Sequence, residues 1–133
     1  GRLRDEEKQS LTIGGTGTAI GLKDLVAEVA EKDKIGVKMS PEGYGPSDHA
    51  NFYTHDIPVL FFFTGVHDDY HTPADDADKI NYPGEKKVAD YAADLIETVA
   101  NEEKAMTFQE AGPKEQPKGR RRFKVIYESA QRI

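Results

Sequence analysis

Cysteine is absent from the 133 residues, so no disulfide staples this chain and no thiolate can hold a metal. That absence does not choose a compartment. An excess of positive charge is absent too: the net charge of −6 argues against nonspecific binding to nucleic acid or to an anionic membrane. There is no long apolar run. The densest stretch, Pro58 to Phe63, is far too short to span a bilayer and suits a buried strand instead. No signal-peptide pattern is visible, and the chain does not begin with Met. Gly1-Arg2-Leu3 reads as the interior of a longer protein. What is present is enough sequence for one domain with a core, 37% hydrophobic and 32% charged, the balance of a soluble globular unit.

Along the chain, apolar periodicity and turn residues predict an alternation of strands and helices. Ser10 to Ile13 has strand character and enters the turn Gly14-Gly15-Thr16-Gly17. Ile20, Leu22, Leu25, Val26 and Val29 then fall on one face of a helix that Gly36 should end. Val37 to Met39 is a second short strand, and the glycines and prolines of Ser40 to Pro46 make a loop. Ser47 is the expected N-cap of a short helix through His55. Val59 to Phe63, apolar at successive positions, is expected to be an interior strand buried on both faces. After a polar loop from Thr64 to Tyr82, a long helix from about Gly84 to Lys104 should turn Val88, Ala92, Leu95, Ile96 and Val99 inward. The fold class implied is α/β: part of a mixed, mostly parallel sheet flanked by helices, and incomplete. Residues 1–111 are assigned to this domain. Residues 112–133, with their prolines, glycines and Arg120-Arg121-Arg122, are assigned to a linker and the start of a following domain, with Phe123 to Tyr127 a possible strand. The three arginines in an acidic chain are read as a solvated run rather than a nucleic-acid patch.

The residues able to do chemistry concentrate in two segments: Ser47-Asp48-His49, and His67-Asp68-Asp69-Tyr70-His71-Thr72-Pro73-Ala74-Asp75. The second follows the most apolar strand, and in open α/β sheets ligands bind beyond strand carboxyl ends. Imidazole and carboxylate are zinc-binding groups, and either can also orient a ligand from behind. Spacing alone is equally compatible with a solvated loop. His67 and His71 stand four apart, but Pro73 argues against a helix there, and Asp68 occupies the place where a helical metalloprotease motif needs glutamate. The glycine turn at 14–17 misses the dinucleotide fingerprint, because Ile20 stands where it needs glycine, and is read as structural.

The run from Tyr44 to Asn81 resembles the closing part of the catalytic domain of co-catalytic two-zinc exopeptidases. These are the bacterial leucyl aminopeptidases and aminopeptidase Y, with glutamate carboxypeptidase and glutaminyl cyclase as relatives. The resemblance rests on Ser47-Asp48-His49 with Phe52, Ile57-Pro58, Phe63-Thr64-Gly65, then Asp69-Tyr70-His71 with Pro73, Asp75, Lys79 and Ile80. It implies that His71 is the last zinc ligand of the domain. It also implies that Tyr70 is catalytic, its hydroxyl stabilising the oxyanion that forms on the attacked carbonyl. Asp48, His67 and Asp75 are candidates for supporting contacts behind the metal, with Asp48 read chiefly as a charge favouring its helix start.

The same resemblance implies two Zn2+ ions in the complete enzyme, peptide substrates, release of N-terminal residues, and a periplasmic or secreted location. The first histidine, the bridging aspartate, the catalytic glutamate and the remaining ligands of that family find no counterpart in Gly1 to Tyr44. Pro46 stands where some relatives carry an arginine for a substrate carboxylate. The chain is therefore expected to be a fragment, inactive alone and prone to self-association. The competing reading is a non-catalytic binding or regulatory module that shares the exopeptidase fold.

Overall fold

A computed structural model describes residues 2–3 and 11–115. Strand β1, Leu11–Gly14, alternates buried and half-buried residues, so Leu11 and Ile13 enter the core with no exposure. It is the centre of a three-stranded sheet of order β2-β1-β3. Strand β2, Val37–Met39, pairs with it in parallel, Leu11 opposite Val37. Strand β3, Phe61–Phe63, pairs antiparallel, Thr12 opposite Phe63 and Gly14 opposite Phe61. The fold is α/β with a mixed, open sheet. Of its two pairings one is parallel and one antiparallel, the mixed sheet expected of an incomplete α/β domain.

Two expectations about β3 are corrected. It is shorter than Val59 to Phe63, and all three of its residues are half-buried at a sheet edge rather than enclosed on both faces. Three phenylalanines in succession must alternate between faces, and an edge strand covers neither completely. Its reversed direction also matters. The carboxyl end of β3 lies beside the amino end of β1, so the loop after Phe63 opens at the opposite end of the sheet from the Gly14–Gly17 turn.

Helix α1, Leu22–Lys32, buries Leu22, Val26, Val29 and Ala30. Ile20 precedes it and is 63% exposed, not part of its inward face. The helix ends before Gly36. Lys34 takes the left-handed conformation (φ 52°), while Lys34 N–H donates to Glu31 and Ile35 N–H to Ala30. This is the double bond of a Schellman ending, with lysine in the place usually held by glycine and Ile35 buried behind it. Helix α2, His49–Tyr53, has Asp48 rather than Ser47 at its N-cap, with no side-chain capping bond.

A 3₁₀ turn at Ala77–Lys79 leads into helix α3, Tyr82–Ala100. The Asn81 side chain accepts from Gly84 N–H at 3.1 Å, and Pro83 fits the first turn, where no amide partner is needed. Its inward face is Gly84, Tyr91 and Leu95, with Val88 partly buried; Ile96 is 69% exposed and Val99 also faces out. Tyr91 is fully buried between α1 and α3 and donates its hydroxyl to the Val26 carbonyl at 2.8 Å. Burial pushes this phenol up to about 12.

The glycine-rich turn is a structural joint. Its amides at Gly15, Thr16, Gly17 and Thr18 donate to the carbonyls of Glu42, Ser40, Pro41 and Gly15, leaving none to cradle a phosphate. The Thr18 hydroxyl, fully buried, donates to Gly15 at 2.7 Å and accepts from Val59 N–H at 2.9 Å, tying β1 to the chain entering β3. Gly15 has φ 83°, and a Cβ there would lie 2.3 Å from the Val59 carbonyl oxygen. Gly15→Ala therefore combines a left-handed non-glycine with a backbone collision. A loss of about 3 kcal/mol is expected, read by denaturant unfolding; an unchanged midpoint would contradict this joint.

The stretch after α3 returns to the domain. Ile20 N–H donates to Thr107, Gln109 N–H to Thr18 and Gly43 N–H to Ala111. The fully buried Tyr53 donates its hydroxyl to Gly112 and accepts from Ala111 N–H. Residues 116–133, including Arg120 to Arg122 and the possible strand Phe123 to Tyr127, lie outside the described residues.

Candidate functional site

The loop that follows β3 is built from three successive turns. Tyr70 N–H donates to His67, Thr72 N–H to Asp69 and Asp75 N–H to Thr72, each an i to i+3 closure. The Thr72 hydroxyl doubles the second closure by donating to the Asp69 carbonyl at 2.8 Å, and it accepts from Ala74 N–H at 3.3 Å. His71 is the third residue of the second turn and has φ 59°. That position and sign ordinarily call for glycine or asparagine. For histidine the left-handed region costs roughly 1–2 kcal/mol, and such residues concentrate where a side chain must be presented in one direction.

The imidazole of His71 lies against the Tyr70 ring, with centroids 3.9 Å apart. Tyr70 is half-buried, edge-on to Phe63 at 5.9 Å and edge-on to His67 at 5.8 Å. On the same face of β3, Phe63 stacks on Phe61 and Phe61 on His49, at 6.1 and 4.4 Å. A row of aromatic rings thus joins the Ser47-Asp48-His49 segment to the Tyr70-His71 loop along β3. His49 Nδ1 is buried without a hydrogen-bond partner, and loss of solvent pulls its pKa down, partly opposed by the Asp48 charge.

Charge surrounds the loop. Arg2 Nη2 reaches Asp75 Oδ1 at 2.5 Å and Asp69 Oδ2 at 3.3 Å. Lys79 Nζ reaches the other Asp69 oxygen at 3.1 Å and also donates to the Ala74 carbonyl. The Lys79 hydrogen bond and charge, with a lesser part from Arg2, hold the Asp69 carboxyl below its ordinary range despite the opposing loss of solvent. His67 Nε2 stands 3.7 Å from Asp75 Oδ2, while its Nδ1 is buried without a partner. Arg2, Phe62, Phe63, His67, Tyr70 and Asp75 line a cleft of about 410 Å³.

Of the residues singled out in the sequence, Tyr70, His71, His67 and Asp75 come together in and around this loop. Asp48 sits outside this group, exposed at the start of α2. Sequence reading missed Arg2 and the part played by Asp69. Arg2 is separated from its two partners by 67 and 73 positions, and no local pattern reports such contacts.

The donor set decides how much of a metal site is here. No group of three or more His, Asp or Glu able to hold a metal ion occurs among the described residues. His71 offers an imidazole of the right type on a turn held in a strained conformation, which fits one ligand of a shared site and not a closed one.

The family model described as Peptidase family M28 matches residues 4–96, which contain every element from β1 to the 3₁₀ turn and α3 as far as Ile96. The chain belongs to peptidase family M28. No curated protein and no solved structure matches it. Membership in M28 carries metallopeptidase chemistry, which in this family is generally zinc-dependent. No helix among the described residues is long and apolar enough to cross a membrane.

Proposed function

We propose that this M28 chain is the closing part of a zinc aminopeptidase catalytic domain, in which His71 is a metal ligand and Tyr70 a catalytic hydrogen-bond donor. The observation that carries the proposal is the left-handed His71 beside Tyr70 in the Asp69–Thr72 turn. When bound, zinc supplies a nucleophilic water at neutral pH and polarises the scissile carbonyl. The residues of this chain act around that chemistry. His71 would supply one ring nitrogen to the metal. The Tyr70 ring, packed against Phe63 and His67, would present its hydroxyl to the oxygen of the attacked carbonyl, where negative charge develops. The remaining ligands and the general base come from residues outside this chain, and the substrates are peptides trimmed at the N-terminus outside the cytoplasm. Residues 1–111 are assigned to this portion, and 112–133 to a linker and the start of a following domain.

The exposed apolar side chains Phe52, Ile57, Ile96 and Val99 and the two open sheet edges support the reading of a partial domain. The isolated 133-residue chain is expected to show no hydrolysis of aminoacyl-nitroanilides with added zinc, to bind zinc weakly and to run larger than a monomer in sedimentation. Robust turnover by a monomer would place the catalytic residues elsewhere.

A further inference from the structure

We infer that Asp69, gripped by Arg2 and Lys79, is a positioning residue that sets the direction in which Tyr70 and His71 are presented. The inference rests on the roles proposed for those two residues. The second turn runs from Asp69 past His71 to Thr72, a third closes from Asp75 N–H to Thr72, and one guanidinium holds the carboxylates of Asp69 and Asp75 on either side of His71. Lys79, on the 3₁₀ turn before α3, takes the other Asp69 oxygen, so neither oxygen is left to water alone. The backbone between the two carboxylates contains the left-handed His71. A strained conformation of this kind persists only where the surroundings over-determine it. The Thr72 hydroxyl closes the turn from within, and the ion pairs fix it from outside to Arg2 and to the 3₁₀ turn at Ala77–Lys79.

General stability does not account for this arrangement as well. The side chains of Arg2, Asp69, Asp75 and Lys79 are 21–37% exposed. Ion pairs this close to water stabilise a fold little, because solvent screens them and ordering the side chains offsets the gain. Their effect is therefore local. Replacing a group that orients a metal ligand from behind typically lowers metal affinity or activity about 10- to 100-fold.

The test uses the zinc-loaded full-length protein carrying Arg2→Met, Lys79→Met, Lys79→Arg or His71→Ala. Zinc affinity by chelator competition, kcat, KM and melting temperature are measured for each. Arg2→Met and Lys79→Met are expected to weaken zinc binding about 10-fold or more and to lower kcat with little change in KM. The melting temperature of the metal-free protein, which zinc binding does not contribute to, should hardly move. Lys79→Arg, which keeps a cation within reach of Asp69, should recover most of the loss. If His71→Ala loses a zinc while both methionine variants bind zinc as before, the clamp is wrong and the ligand assignment stands. If His71→Ala keeps its full zinc, the ligand assignment fails and the clamp falls with it. A clear fall in the melting temperature of the metal-free methionine variants would make these pairs ordinary stabilising contacts and overturn the proposal as well.

Discussion

His71→Gly in the full-length protein is expected to lose one zinc and nearly all turnover while leaving the metal-free fold as stable as before, or more so. The two halves of this expectation have different origins. Loss of the imidazole removes a ligand from a centre whose chemistry depends on correctly held metal. The backbone half comes from φ 59° at His71. Glycine enters that region without the clash of a Cβ with the backbone, worth roughly 1–2 kcal/mol, but loses more chain entropy on folding, roughly 0.5–1 kcal/mol. The balance is near zero or slightly stabilising. His71→Ala shares the metal defect but keeps the strain, so it should be the less stable of the two by about 1 kcal/mol. Most replacements of a residue that matters only for structure destabilise. A substitution that abolishes function and spares stability marks a residue held in place for its chemistry. Equal zinc content in His71→Gly and the parent would remove histidine from the ligand set.

Tyr70→Phe should fold normally and lower kcat by on the order of 10²–10³, the usual cost of losing one oxyanion donor. The ring contacts with Phe63, His67 and His71 survive in the variant, because they involve the ring and not the hydroxyl. KM should therefore change little: the lost hydrogen bond belongs to the transition state and not to substrate binding. Steady-state kinetics beside thermal unfolding checks this. Unchanged kcat at equal stability would reduce Tyr70 to a packed aromatic at the base of the loop.

Much of the fold was legible because it rests on local rules. Leu11 and Ile13 alternate as a half-buried strand must, and Val37 to Met39 lies between turn residues. The failures have specific physical causes. Sequence reading of α3 placed Ile96 and Val99 inward and passed over Tyr91. The inward stripe instead runs Gly84, Val88, Tyr91, Leu95, which keeps helical spacing, and the Val26 carbonyl satisfies the one polar atom it buries. Ile96, the residue after Leu95, is turned about 100° away on an α-helix and meets solvent. The direction of β3 was equally hidden, since three phenylalanines carry no sign of whether the neighbouring strand runs with them or against them.

At the candidate site, residue types and order could be read, and geometry could not. Tyr70, His71 and Asp75 are visible as a motif, whereas a positive φ on histidine leaves no mark in a sequence that has no glycine there. Asp69 looks like one acid among several until Arg2 and Lys79 are seen to occupy both its oxygens. Asp48, read chiefly as a charge favouring its helix start, stands exposed at the start of α2.

The claim on which the account turns is that His71 binds the metal, and a crystal of the zinc-loaded full-length protein addresses it directly. Anomalous diffraction collected on either side of the zinc absorption edge locates the ions without reference to any assumed ligand. The account predicts an ion about 2.0–2.1 Å from a ring nitrogen of His71, with the Asp69–Thr72 turn and the left-handed His71 kept. Zinc fully liganded by other residues, with the His71 imidazole turned away from every ion, would contradict it.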